Sequence, residues 1–291
     1  MAEKFDAIVI GGGPAGLLAG LYLARFRRRV AIIDGGHSRA ALIPRTRNAP
    51  GFPDGIAGEE LLQLLRQHAT RYGAEVVRTR ASGVKQHERG FELVTDAGDL
   101  SCETMLFATG VLNVEPKVEG HDAAVQAGLI RYCPICDAHE VIGQRIAVLT
   151  NCERGADEVE FLKTYSDEIE LFAENEPAAT KLSERRAKHG IADSVVCGEG
   201  GVEITLQDGA RRRFDTLYAC LGVTPQTALV EQIGIALAPE DTILTDKKQR
   251  TNVPGAFAAG DVVHALDQIA VAFGHAAIAA TAMHNDLRAR D

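Results

Sequence analysis

The stretch DAIVIGGGPAGLLAGLYLARFRRRVAIIDGG changes its hydrophobic rhythm three times. Residues 6–10 read as a buried parallel strand, apolar from Ala7 onward. A glycine turn follows, then an apolar stripe at helical spacing from Pro14 and a second buried strand, VAII. The same strand–helix–strand alternation returns in the middle of the chain. There QRIAVLT precedes a helical ADEVEFLKTYS and the strand EIELFAE, and further strands are predicted near 202–206 and 215–221. A short strand ending at Gly260-Asp261 and a long Ala-rich helix close the chain.

Composition narrows the class. The 291 residues are 46% hydrophobic and 24% charged, enough for two domains, or one large one, with a substantial core in each. No apolar run approaches the ~20 residues of a membrane span, and MAEKFDAIVIGGG lacks the basic-then-apolar order of a secretory signal. The expectation is a cytoplasmic protein with no membrane partner. A net charge of −9 argues against nucleic acid, and the basic runs RFRRR and RRR read as solvated surface. Of six cysteines only Cys133 and Cys136 are closely spaced. Cys102, Cys152, Cys197 and Cys220 sit in apolar or strand-like stretches as inert thiols.

Gly11, Gly13 and Gly16 fit the dinucleotide fingerprint. The first permits a tight turn, the second lets a pyrophosphate approach the backbone, and the third packs helix on strand. The helix from Pro14 and Ala15 presents its positive end to that pyrophosphate. Asp34, followed by Gly35, ends the second strand where a ribose is bound. With these elements the sequence resembles the low-molecular-weight thioredoxin reductases and their flavoprotein relatives. Its NAPGF at 48–52 matches that family's NxPGF, Ala108-Thr109-Gly110 matches its ATG turn, and Gly260-Asp261 matches its C-terminal GD pair. The resemblance implies FAD as cofactor, with Asp261 on the ribityl chain and Gln268 at the flavin ring. Asn48, Thr109, Gly110, Gly260 and Ile269 complete the implied site.

If both ends build one FAD domain, the middle is an insertion. The predicted fold is α/β, with two Rossmann-like, doubly wound, three-layer domains, the second inserted in the first. The FAD domain is expected at 1–115 and 246–291, and the inserted NAD(P)-type domain at 116–245. Pro116, Gly120, Pro254 and Gly255 punctuate the crossings.

The pair in RYCPICDAHE lies just ahead of the inserted domain's first strand. A zinc site needs four ligands, and no second close pair supplies them, so no metal is expected. A disulfide across two residues closes too small a loop to contribute much through chain entropy. Reversible exchange is what such a link serves, because one thiol resolves the mixed disulfide formed by the other. The family resemblance then implies roles: Cys133 exchanges with the external disulfide, Cys136 exchanges electrons with the flavin, and Asp137 donates and accepts the thiol proton. Asp137 also reads as a helix cap. Pro134 departs from the small residue usual in thioredoxin reductases and is similar to the CPxC of related dithiol oxidases. Those carry histidine where Asp137 stands, and His139 reads as a surface residue.

In NADPH-dependent relatives the inserted domain carries a GGGNSA turn and a basic HRR. Here Thr150, Cys152 and Gly155 stand at the close-approach positions, and Ala173-Glu174-Asn175 replaces the basic triplet. Side chains where a pyrophosphate approaches, and an acid where a phosphate is gripped, oppose NADPH. The expectation is an FAD-dependent enzyme, homodimeric as its relatives are, that links a substrate dithiol or disulfide to FAD through Cys133 and Cys136. The substrate is a small molecule or a thioredoxin-like protein, and the electron partner is unidentified. CPIC favours a dithiol oxidase using oxygen or another acceptor. Asp137 favours a reductase fed by ferredoxin, flavodoxin or another carrier. A non-catalytic flavin sensor is the reading of another class.

Overall fold

The computed structural model describes residues 3–290 and divides into two compact units. One holds the chain up to Ala41, Ala57–Leu112 and the chain from Thr224 onward. The other holds Leu42–Ile56 and Asn113–Val223. Residues 224–245, read from sequence as insertion, pack with the first unit because Val230, Ile235 and Ile243 are buried in its core.

The first unit is built on a seven-stranded sheet. Glu75–Val77, Val30–Ile33, Glu3–Ile10, Leu100–Phe107 and Ala256–Ala258 run parallel. Gly90–Thr95 and Ala81–His87 extend the sheet antiparallel beyond Leu100–Phe107. Ala7 through Ile10 are nearly inaccessible, as expected of a strand covered on both faces. Phe5, Ile8, Met105 and Phe107 meet in one core cluster, each contributing about 1.5–3 kcal/mol relative to exposure. The helix Pro14–Arg25, with proline at its first turn, packs against the 20-residue helix Ile269–Arg288. Both helices are rich in alanine and glycine, which allows their axes to approach closely.

The second unit has its own seven-stranded sheet. Ile169–Ala173, Ile146–Thr150, Thr216–Cys220 and the two-residue strand Ile130–Arg131 are successive parallel neighbours. On the other side Gly190–Gly198 joins in parallel, and Gly201–Leu206 and Arg211–Phe214 follow antiparallel. Ile146 and Val148 enter one core cluster while Ala147 and Leu149 enter another. That split is why IAVLT shows no alternation of polar and apolar residues. Tyr218 lies in the first of these clusters with Ala138, Val141 and Leu162. Arg211–Phe214 forms the sheet's edge with Arg211, Arg212 and Arg213 exposed.

Two expectations follow from packing. A Cβ on Gly16 would lie 1.9 Å from the Gly11 carbonyl oxygen. Gly16→Ala is therefore expected to lower stability by about 1–3 kcal/mol, read as a fall in the urea midpoint; an unchanged midpoint would contradict the packing. Burial pushes the Cys102 thiol up to about 12, and burial with the nearby Glu158 raises Cys220 well above the usual range. Native reduced protein treated with iodoacetamide at mildly alkaline pH should label the Cys133–Cys136 pair and leave Cys102 and Cys220 unmodified in peptide mass maps.

Candidate active site

The first unit gathers the residues of the dinucleotide fingerprint at the carboxyl ends of its parallel strands, where open α/β sheets bind ligands. Gly11 has φ 122°, and a Cβ there would lie 2.1 Å from the Ala108 carbonyl oxygen. No side chain fits between the two strand ends. Gly13 is different, since its nearest neighbour would be the Ser38 hydroxyl at 3.3 Å. This glycine leaves backbone open to an approaching group. Gly260, at φ 82°, comes against Ala15, and Thr109 donates through Oγ1 to the Gln226 carbonyl at 2.7 Å. Gly110 accepts from the Gln226 N–H at 3.0 Å. Gln268 caps the long helix that begins at Ile269. This cradle, with bare backbone at Gly13 and the start of the helix at Pro14, fits a dinucleotide pyrophosphate.

Asp34 is buried, with its Oδ2 taking Arg66 at 3.0 Å and Arg78 at 3.3 Å and its Oδ1 accepting the Gly36 N–H at 2.9 Å. It lines a cavity of about 200 Å³ with Gly35, Gly36, Arg78, Thr79 and Arg80. A Cβ on Gly12 would collide with the Asp34 carboxylate at 2.2 Å. Gly12 and the two arginines were missed from sequence; the only signal was the third consecutive glycine. Asp261 shares Arg39 with Asp267, at 3.1 and 3.0 Å. Burial and the Asp261 charge hold the Asp267 carboxyl above its ordinary range, with Arg39 opposing both.

Asn48 packs with the second unit, where its Oδ1 accepts the Thr46 hydroxyl at 2.8 Å. Cys133 and Cys136 lie in this unit and are joined in a disulfide. The local geometry follows from the sequence. Cys133 is extended at the N-cap position, Pro134 occupies the first turn, and the Cys136 N–H donates to the Cys133 carbonyl at 2.9 Å. Pro134 is buried, whereas Ile135 between the two cysteines is 52% exposed.

Asp137 ends this turn and is anchored at both oxygens. Arg131 Nη1 reaches Oδ2 at 2.7 Å, and the Tyr218 hydroxyl donates to Oδ1 at 2.8 Å. Burial lifts the carboxyl above the ordinary aspartate range, Glu140 adds to the rise, and Arg131 and Tyr218 oppose it. Burial, with Asp137 at hand, also pushes the Tyr218 phenol upward, so it remains a donor. Arg131 immediately precedes YCPIC, but sequence offered no sign of Tyr218, which lies 81 residues away from Asp137 in the chain.

At the end of the strand Ile146–Thr150 the joint to the next helix is made differently from that at Gly11–Gly16. A Cβ on Gly155 would lie 2.5 Å from Thr150 Cβ and Cγ2. The single Thr150 hydroxyl proton has two carbonyl acceptors within reach, that of Cys152 at 2.9 Å and that of Cys220 at 3.2 Å. Asn175 Oδ1 accepts the Ala178 N–H at 3.0 Å and caps the helix Glu176–Glu184. Among the described residues no cluster of three or more His, Cys, Asp or Glu is arranged to hold a metal, and no helix is long and apolar enough to cross a membrane.

Comparison with known proteins accords with this geometry. The family described as pyridine nucleotide-disulphide oxidoreductase matches residues 5–276. A thioredoxin reductase of Treponema pallidum is 27% identical over 305 residues, covering 97% of each chain. One from Aquifex aeolicus is 26% identical, covering 90% of this chain and 86% of its own. The crystal structure of thioredoxin reductase from Streptococcus pyogenes superposes with a TM-score of 0.89 at 25% identity, covering 99% of this chain and all of that one. The crystal structure of HlmI gives 0.86 at 27% identity, covering 99% and 93%. The chain belongs to the pyridine nucleotide-disulphide oxidoreductase family, and it is a thioredoxin reductase-like flavoprotein enzyme whose cofactor is FAD and whose Cys133–Cys136 disulfide is redox-active.

Proposed function

We propose that the chain is an FAD-dependent dithiol oxidase that is not driven by NADPH. The observation that carries this reading is the turn after Ile146–Thr150, where Thr150 and Cys152 stand in place of the glycines of the first unit. In the first unit glycine backbone lies open at the turn, whereas here a threonine side chain fills the space above the helix glycine. Cys152 stands where the first unit has the open Gly13, so a pyrophosphate at this turn would meet a side chain, and Glu174 and Asn175 offer no cation to a ribose phosphate.

The exchange balances within the chain's own sulfurs. A substrate thiolate attacks Cys133 Sγ, the Cys133–Cys136 bond breaks, and Cys136 leaves as a thiolate. The second substrate thiol gives up its proton and attacks the substrate sulfur held on Cys133, releasing Cys133 as a thiolate and the substrate as a disulfide. The substrate has lost two electrons and two protons, and the cysteine pair has gained the electrons. Asp137 is the first acceptor for a thiol proton. FAD, when bound, would supply the two-electron acceptor for the reduced pair, with oxygen or another oxidant as the terminal acceptor. Gly11, Gly13, Pro14, Ala15 and Gly16 would hold its pyrophosphate, Asp34 and Gly35 its adenosine ribose, and Asp261 its ribityl chain. Gln268 would meet the ring, with Thr109, Gly110, Gly260 and Ile269 completing the first unit's share of the site, and Asn48 would serve it from the second unit.

Asp137 supports a second reading in which electrons run outward, from a ferredoxin- or flavodoxin-like carrier through FAD to a thioredoxin-like disulfide. Anaerobic photoreduction followed by reoxidation separates the two. The oxidase predicts rapid recovery of the flavin absorbance in air, accelerated by turnover with a dithiol; recovery only with oxidised thioredoxin selects the reductase. NADPH is expected to leave the flavin spectrum unchanged over minutes, and stoichiometric bleaching within a second overturns the reading of the Thr150 turn. Cys136→Ser should abolish flavin reduction by dithiothreitol while leaving the bound flavin spectrum in place; retained turnover removes Cys136 from the route.

A further inference from the structure

We propose that Arg131 and Tyr218 are positioning residues that hold Asp137 as the proton acceptor for the dithiol. The inference rests on the role given to Asp137 above, and the geometry that supports it is independent of that role. A carboxylate has two lone pairs on each oxygen, so one donor on each still leaves both oxygens able to accept. The two donors fix the rotation of the carboxyl group that a surface aspartate would lose to solvent and to its own rotamers.

The donors come from different places in the sheet. Arg131 ends the strand Ile130–Arg131, and Tyr218 stands on the neighbouring strand Thr216–Cys220, directly in register as its Cα partner. The turn Pro134–Asp137 therefore sits on two adjacent strands through one carboxylate. Tyr218 is the largest fully buried side chain among the described residues, and its one polar atom is spent on this contact. An all-apolar phenylalanine would fill the same space among Ala138, Val141 and Leu162. The hydroxyl thus adds nothing to filling the core, and its contribution lies in the donor it supplies.

The surroundings sharpen the sign of its effect. Glu140, in the following turn Ala138–Val141, faces Asp137 with like charge and is itself 3.7 Å from Arg47. On the adjacent helix Arg154–Leu162, Asp157 pairs with Arg185, and Arg154 and Glu158 act on Cys220. Arg131 is thus the cation on Asp137, and Tyr218 its neutral donor. Each favours the charged carboxylate, so removing either raises the pH at which Asp137 gives up its proton. A base is useful only above that pH, so activity in such a variant is lost sooner as pH falls.

The test uses the FAD-loaded protein in its disulfide form, dithiothreitol as the dithiol, and stopped-flow flavin absorbance across the pH range in which the proteins stay folded. Taking the ratio of variant to wild-type rate at each pH cancels the ionisation of dithiothreitol itself. For Tyr218→Phe the ratio should stay near one at alkaline pH and fall to about one-tenth at acid pH, the signature of a shift of about one pH unit. Arg131→Gln should fall further, and Arg131→Lys should recover part of the loss, since it keeps the charge without the planar fork. Asp137→Asn, which cannot ionise, should be slow at every pH. A ratio that is flat with pH for both Tyr218→Phe and Arg131→Gln would falsify the proposal, even if both variants are slower or less stable. Cys136→Ser run alongside tells the two levels apart: if it blocks flavin reduction while the ratios stay flat, only the positioning role fails, and if it does not, the dithiol route fails and takes the positioning role with it.

Discussion

Where a parallel strand turns directly into a helix, two stretches of backbone are driven together and one position must surrender its side chain. This constraint organises both units. At the first joint Gly16 gives way to the Gly11 carbonyl, and Gly11 in turn gives way to the Ala108 carbonyl on the neighbouring strand. Backbone is left bare where the helix begins. At the second joint Gly155 gives way to Thr150, so the space is taken by a hydroxyl and a methyl group. One architecture meets the same crowding in two ways, one by bringing backbone against glycine and one by packing a side chain beneath the helix.

This contrast also explains what sequence could reveal. The glycine fingerprint is legible because each close approach, at Gly11 and at Gly16, is a requirement written into a single residue type. The buried parallel strands were legible because Ile146 and Val148 face one cluster while Ala147 and Leu149 face another, which leaves an unbroken apolar run. The hairpin Ala81–Thr95 and the strand Gly190–Gly198 are harder to read from the sequence, since polar and charged residues are mixed into both, although Gly90–Thr95 buries every second residue. The extent of the middle segment was blurred by residues 224–245, whose Val230 and Ile243 contribute to the first core with no local marker of that destination.

The dithiol shows the same division. Its spacing and the acid beside it can be read directly, because all three residues fall within one turn of the chain. The groups that govern that acid could not. Tyr218 is reached only through strand register, and Arg131, though close in sequence, looks like any charged residue at a strand end until its partner is seen. Burial determines which way the remaining sulfurs lean. Cys102 and Cys220 are driven toward the protonated form, whereas the exchanging pair sits in a turn with an exposed Ile135 between them. Sequence lists six thiols, and depth in the fold separates two of them from the chemistry.

The second sheet also ends in a way that matters beyond catalysis. One margin is the two-residue strand Ile130–Arg131, too short to template another chain, and the other carries Arg211, Arg212 and Arg213 in succession toward solvent. An open margin of unpaired amides invites a second molecule to add a strand, and a run of guanidinium groups repels an identical run brought alongside it. Arg211 and Arg212 also pair with Glu203 and Glu170, so the margin carries charge of both signs, a dressing that disfavours the addition of a foreign strand.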